Sequence, residues 1–325
     1  AGRSPWTTCR RCSRRAAPGG ARLAGLEHLD DRQRAALELA NRGHAVELVE
    51  ASERLGGQVN LAAMLPRRHK FGFIPRDLQR QLHKAGVNVR LNTRMTADEI
   101  VAHDADGVIV ATGSTPLKTG FTSTRPAVDQ VPGMQQANVF SVVEVLEGKA
   151  PLGRCVVLFD EDGGRYALGT AEYLLDRGHE VHLVSRFNAL SPNLALTLDL
   201  PVNYRHVFAK GLRYTLNSWV RRIEGGTAQL FNLFTDQDEA RLQADSFVIA
   251  AGHRANDTLY HQLLGRVERL YCIGDARLPR PLQDSLYEAM LAGRELLDDP
   301  NRFIEQGELE GFDLQWQRTL ITRAS

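Results

Sequence analysis

Residues 156–184 read VVLFDEDGGRYALGTAEYLLDRGHEVHLV, and their order decides the fold. A short apolar strand runs into a glycine-containing turn, a helix follows, and an RGH stop leads into a second apolar strand. That succession is the unit from which nucleotide-binding parallel sheets are built. In such a unit the first turn offers bare amides to a phosphate at the start of the helix. Here Asp160, Glu161 and Asp162 fill the turn, and the helix opens on Arg165 and Tyr166 behind Gly163 and Gly164. The GxGxxG spacing is therefore missing. A like-charge pair about 4 Å apart costs about 4 kcal/mol at an effective dielectric of about 20, before screening. The unit is expected to keep its shape and to bind no nucleotide in this turn.

The same pattern occurs earlier in the chain. ALELANRGHAVELVEAS (36–52) echoes AEYLLDRGHEVHLVSR (171–186), and DGVIVATG (106–113) echoes DSFVIAAG (245–252). Around the first copy the spacing predicts a helix from Arg32 to Gly43 and a strand ending at Glu50. A helix over 73–86 with Gly86 as its stop, a strand over 87–93, a capped helix over 96–103 and a buried strand from 106 follow. Residues 117–150 read as a connection. Strands at 155–159 and 180–185 then flank a helix at 166–177. RRIEGGTAQLFNLFT and EARLQADSFVIAAG read as a strand hairpin and a final buried strand. RLYCIGDA is a last strand, and PLQDSLYEAMLAGRELLD a long amphipathic helix.

Helices alternating with short apolar strands predict an α/β protein. Their repetition predicts two tandem doubly wound, Rossmann-like domains of the FAD/NAD(P)-binding type, the second inserted into the first. The expected division is an irregular segment over 1–31, a first domain over 32–120 plus 265–310, an inserted domain over 150–264, and a tail over 311–325.

Composition narrows the function. A formal net charge of +1 gives no global attraction to nucleic acid or an anionic membrane. No apolar run approaches the roughly 20 residues that span a bilayer. Of four cysteines, Cys155 and Cys272 lie in apolar runs, while Cys9 and Cys12 form a lone CxxC without a second pair of ligands. No disulfide framework is supported, so a cytoplasmic location is expected. The scattered histidines show no metal-ligand spacing, so no metal site is expected. Residues 1–31 are rich in Arg, Gly, Ala and Pro and hold no acid before Glu27. They are expected to be disordered or to need another chain.

Three places carry possible chemistry. Glu50 ends the second strand of its unit, where an acid accepts ribose hydroxyls, although a solvated strand-end acid fits the position equally. Gly56 and Gly57 follow, where a bare backbone lets a diphosphate approach. Asp275, just after Gly274, leaves a buried strand at the carboxyl edge of the sheet, where ligands of open α/β sheets gather; a plain turn Asp is the alternative. The basic run Arg67, Arg68, His69 and Lys70 reads as a solvated loop or, less simply, a phosphate contact.

GHAVELVEASERLGGQVNLAAMLP, DGVIVATGSTP, DSFVIAAGHRANDTLYHQL and YCIGDARLPRPLQDSLYEAMLAGREL resemble, in order and over about residues 35–300, the C-terminal half of the trimethylamine dehydrogenase family. That family includes histamine and dimethylamine dehydrogenases, N-methyl amino acid demethylases and 2,4-dienoyl-CoA reductase. The resemblance implies a plan of an FMN-carrying (β/α)8 barrel, a four-iron cluster on a cysteine-rich linker, and two nucleotide-type domains. It implies that Glu50 meets an adenosine ribose and that Gly56, Gly57 and Gln58 line the flavin or diphosphate side. Thr112 and Gly113 would flank the dinucleotide, and Gly274 and Asp275 would face the ribityl-diphosphate region.

The departures are equally specific. No barrel is present, so no catalytic residue is assigned, and neither FMN nor a four-iron cluster is expected in this chain. The family's first glycine loop is reduced to the fragment AGLE, with Ala21, Arg22 and Leu23 ahead of it. The acidic turn at 160–162 favours the amine dehydrogenase and demethylase branch over NADPH-using reductases. The expectation is an oxidoreductase-related flavoprotein module holding FAD or ADP in its first domain, transferring electrons beside a separate FMN-barrel partner. The alternative is a truncated, non-catalytic remnant or structural module, the start of the chain having been read out of frame.

Overall fold

The computed structural model describes residues 21–25, 31–280 and 282–296, and the structural statements below concern these. The two RGH turns fold alike. Helix α1 (Asp31–Asn41) stops where Gly43 takes φ 88°; the Gly43 amide reaches Ala40 O at 3.0 Å and the His44 amide reaches Leu39 O at 3.2 Å. After helix α6 (Arg165–Leu175), Gly178 at φ 84° and His179 repeat both bonds, to Leu175 O at 3.1 Å and Leu174 O at 3.2 Å. This double closure is a Schellman stop, and its left-handed residue is best supplied by glycine.

Each stop returns the chain to a parallel sheet. The first sheet contains β1 (Ala21–Gly25), β2 (Val46–Glu50), β3 (Asn88–Arg90), β4 (Val108–Val110) and β15 (Leu270–Cys272), in the order β15-β4-β1-β2-β3. Helices α1, α2 (Gly57–Ala62), α3 (Phe73–Lys84) and α4 (Ala97–Ala102) connect them, and α9 (Leu282–Glu295) follows β15. Thr96 and Glu99 close a capping box on α4, as the TADE sequence predicts.

Strand β1 corrects the expectation that residues 1–31 are irregular. It pairs Ala21 with Val46 through Gly25 with Glu50 on one side, and Arg22–Ala24 with Val108–Val110 on the other. The gap between β2 and β4 presents two rows of backbone donors and acceptors that need partners. Backbone fills it, and side-chain periodicity does not report that demand. Cys9, Cys12 and the tail at 311–325 lie outside the described residues.

The chain leaves the first sheet through β5 (Ser114–Pro116) and returns through its antiparallel partner β14 (His253–Ala255), followed by α8 (Thr258–Leu263). The second unit is thus inserted into the first. Its parallel sheet has the order β6-β13-β7-β8-β9, from β6 (Val139–Ser141), β7 (Cys155–Asp160), β8 (Glu180–Ser185), β9 (Arg213–Thr215) and β13 (Ser246–Ala250), with helices α5 (Val142–Leu146), α6 and α7 (Leu200–Ala209). β6 and the Ser141–Glu144 capping box of α5 come from the stretch expected to be a plain connection. The predicted hairpin gains a third antiparallel strand, β10 (Ser218–Glu224), β11 (Thr227–Asn232) and β12 (Asp238–Gln243), because EARLQADSFVIAAG divides between β12 and β13.

Successive residues of β7 serve opposite cores, as strand geometry requires. Leu158 joins Leu168, Leu174 and Leu183 on the helical side. Phe159 joins Trp219, Phe231 and Phe247 under the three-stranded sheet, with the Trp219 ring edge-on to Phe159 at 5.8 Å. The Trp219 indole donates to Gly120 O at 2.8 Å, so burial leaves no polar atom unpaired there. In the first unit Leu37, Leu39, Leu48, Leu82 and Ile109 pack with Ala289 and Ala292 of α9.

Charged side chains tie the two units together. Arg67 grips the buried Glu172 of α6 with both guanidinium nitrogens, the Nη2–Oε2 bond being 2.6 Å, and Lys210 Nζ joins at 2.9 Å. Arg68 reaches Asp199 at 3.1 Å. Arg67 and Arg68 of the basic run are therefore inter-unit ion-pair partners, neither merely solvated nor aimed at a phosphate.

Candidate nucleotide site

All eight residues singled out in the sequence lie at the carboxyl edge of the first sheet or on the segments leaving it. Glu50 ends β2 and is fully buried, not a solvated strand-end acid. Its Oε1 accepts the Ser52 amide at 2.8 Å and the Ser52 hydroxyl at 2.7 Å, and its Oε2 pairs with the buried guanidinium of Arg32. Gly56 and Gly57, at φ 111° and 41°, turn the chain into α2, whose next residue is the buried Gln58. A Cβ on Gly56 would meet Asn60 and Pro75 at under 3 Å, so the bend needs glycine.

Thr112 and Gly113 follow β4. The Thr112 hydroxyl donates to Asn256 O, and the Asn256 amide reaches Gly113 O at 2.9 Å. Both residues therefore hold the β14 return. Gly274, at φ 60°, begins the short turn that presents Asp275. Asp275 Oδ2 accepts Ser114 Oγ at 3.0 Å and Gln58 Nε2 at 3.4 Å, while Oδ1 accepts the Arg280 amide at 3.3 Å. Burial raises its carboxyl above the ordinary range, with Ser114 and Arg280 opposing the shift.

Besides Ser114, two more residues that the sequence did not flag complete this cluster. His253 Nδ1 lies 3.1 Å from Ser114 Oγ, and burial lowers the His253 imidazole. Tyr166, in the first turn of α6, donates from its hydroxyl to Gln58 Oε1 at 3.0 Å, and burial raises its phenol. Gln58, Ser114, His253, Asp275 and Tyr166 thus form one connected polar group across the two units, of which Gln58, Ser114 and Asp275 are buried. Asp275 was legible from its strand end and Gln58 was implied by the family resemblance; Tyr166 belongs to the other unit, so no local pattern could place it there.

The described residues can be tested directly against an adenosine diphosphate. A ribose would donate to Glu50, but Arg32 and Ser52 already occupy both of its oxygens. A diphosphate would accept amides at the start of α1. There the buried Asp31 carboxylate accepts the Arg32 amide at 2.8 Å. Asp31 also lies so close over Gly274 that a Cβ on that glycine would come 1.6 Å from its Oδ2. As arranged, these residues do not fit the ligand; Arg32 and Asp31 stand in its place.

The second unit repeats this arrangement at its own turn. Gly163 N donates to Asp160 Oδ1 at 2.7 Å, and Ser185 Oγ to Oδ2 at 3.2 Å. Burial pushes the Asp160 carboxyl up to about 7, helped by its acidic neighbours. The Gly164 amide bonds to Asp162. Glu161 turns away to the Ser123 amide at 2.8 Å and to Arg186 Nε at 3.0 Å. The acids do more than repel a phosphate: two of them accept the glycine amides it would need. Among the described residues no helix is long and apolar enough to cross a membrane, and no group of three or more His, Cys, Asp or Glu could hold a metal ion.

Two doubly wound units, one inserted in the other and each presenting a strand–turn–helix edge, define a dinucleotide-oxidoreductase fold. The chain belongs to the pyridine nucleotide-disulphide oxidoreductase family, whose model matches residues 33–280. It is 30% identical over 293 residues to N,N-dimethylglycine/sarcosine dehydrogenase of Chromohalobacter salexigens, covering 79% of this chain and 41% of that enzyme. It is 27% identical to dimethylamine dehydrogenase of Hyphomicrobium sp. (strain x), covering 81% of this chain and 40% of that enzyme. Histamine dehydrogenase from Rhizobium sp. 4-9 shares the fold, with a TM-score of 0.80 at 23% identity over 87% of this chain and 44% of its own. The chain thus spans about two fifths of the length of these relatives.

Proposed function

We propose that the chain is the nucleotide-binding-type, electron-transfer half of an amine dehydrogenase or N-demethylase-like flavoenzyme, working beside an FMN-carrying barrel. The observation that supports this best is the unequal coverage. The match to dimethylglycine/sarcosine dehydrogenase takes 79% of this chain but 41% of the relative, so the chain corresponds to one part of such an enzyme. In this reading the first domain, proposed as 32–120 plus 265–310, would hold an adenosine diphosphate, as ADP or as half of FAD, once Arg32 and Asp31 leave the positions they occupy. Glu50 would take the ribose, Gly56, Gly57 and Gln58 the diphosphate or flavin side, and Gly274 and Asp275 the ribityl region. Thr112 and Gly113 would hold the edge open beside it. The inserted domain, proposed as 150–264, binds no nucleotide, because its turn amides are taken by Asp160 and Asp162.

The described residues support a positioning role. Arg67, Glu172 and Lys210 fix the two units, and the buried Gln58–Ser114–Asp275 group sets the polarity of the first-sheet edge. The test is recovery of the tagged chain from its native host at low salt. The expected result is co-recovery of a flavin-containing barrel protein; a chain that repeatedly comes out alone would sink the reading. A second reading, a purely structural module, is favoured by one observation: in both units a carboxyl group of the chain accepts a backbone amide at or just before the helix start, Asp31 that of Arg32 and Asp160 that of Gly163.

A further inference from the structure

At the carboxyl edge of the first sheet, two side chains supply contacts that a bound nucleotide would otherwise make. Ribose hydroxyls would donate to Glu50, and Arg32 donates there instead, with the two side chains 3% and 0% exposed. A diphosphate would accept the first amides of α1, and Asp31 Oδ1 accepts the Arg32 amide at 2.8 Å. Asp31 Oδ2 lies over Gly274, whose missing side chain leaves room at that spot.

We propose that the first-domain site is self-occupied: Arg32 competes with a ribose for Glu50, and Asp31 competes with a diphosphate for the α1 amide, so that an adenosine diphosphate ligand binds only when both are displaced. This rests on the reading of that edge as an adenosine diphosphate site. The two competitors act on different parts of the ligand. Asp31 opposes only the diphosphate, by its charge and by holding the amide. Arg32 opposes the nucleoside itself, because Glu50 is buried and cannot accept a ribose while it is paired. The device parallels the second unit, where Asp160 holds the Gly163 amide at 2.7 Å.

The experiment is calorimetric titration of the purified chain with ADP and, separately, with adenosine. Asp31→Asn keeps an oxygen for the Arg32 amide and removes the charge; it is expected to strengthen ADP binding about tenfold, the scale of one charge-assisted bond, and to leave adenosine unchanged. Arg32→Gln is expected to strengthen both ligands about tenfold, because it weakens the hold on Glu50. Wild-type protein that binds ADP as tightly as both variants overturns the self-occupation while leaving the site intact. Arg32→Gln protein that binds more weakly than wild type overturns it too, by making Arg32 a ligand donor. Variants that are folded by circular dichroism yet take up no ADP overturn the proposal and the site reading together. If Arg32→Gln does not fold, the ADP-against-adenosine difference of Asp31→Asn decides the question.

Discussion

Replacing Asp160 by asparagine should stabilise the chain at alkaline pH and leave it nearly unchanged in acid. Burial carries this carboxyl from 3.8 to about 7. Because the folded state binds the proton more tightly than the unfolded chain, the stability Asp160 contributes is fully present below its unfolded pKa. It is then lost progressively as pH rises toward 7, and above that value the loss is constant. A shift of about 3 units at 1.36 kcal/mol each corresponds to about 4 kcal/mol over the whole window. Between pH 5 and pH 8 roughly 3 kcal/mol of it is expressed, or on the order of 6–10 °C in melting temperature for a unit of this size. Asparagine is nearly isosteric with the protonated acid and can still accept the Gly163 amide now 2.7 Å from Oδ1. The assay is a pair of thermal melts of wild type and Asp160→Asn at pH 5 and at pH 8. Titrations of other groups cancel in the difference between the proteins. A variant whose advantage is the same at both pH values, or which is less stable at both, would refute the claim that Asp160 is held by desolvation.

Three further outcomes follow from the packing. Trp219→Ala should cost about 3–5 kcal/mol in urea unfolding, since it empties the space against Phe159, Phe231 and Phe247 and leaves Gly120 O without its donor. Glu172→Gln should loosen the contact between the units by about 1–3 kcal/mol at neutral pH, seen as faster hydrogen exchange around 65–70 and in α6. Burial works to raise the Glu172 carboxyl, but the bonds from Arg67 and Lys210 outweigh it and hold it below its ordinary value. Its stabilisation is therefore present above the unfolded pKa and lost as pH falls through the folded one, so the two proteins should converge in acid. Gly274→Ala should cost roughly 1–3 kcal/mol in thermal or urea unfolding, because φ is 60° and the new methyl would meet the Asp31 carboxylate. Equal stability of Gly274→Ala and wild type would remove Asp31 from that position.

How much of this was legible in the sequence depended on distance along the chain. The RGH turns were readable because a helix stop is closed by residues within one turn of it, as Leu39 with His44 and Leu174 with His179 show. The α/β alternation and the insertion followed from apolar runs and their repetition. Strand β1 escaped because its slot is created by β2 and β4, which lie well downstream. That Glu50, Gly274 and Asp275 lie at one sheet edge was legible through strand ends, which parallel sheets always bring together, whereas Gln58 came from the family resemblance.

What the sequence alone determined, then, is the succession of elements and the edge on which polar residues gather, since both arise from local periodicity and from where strands stop. Only the tertiary structure decided what those polar residues do. Arg32 and Glu50 are 18 residues apart, and Tyr166 and Gln58 are 108 apart. The acids at 160–162 were visible as charge in a phosphate turn. That Asp160 and Asp162 accept the glycine amides appears only once the fold has withdrawn water from Asp160 and made each buried amide find a partner.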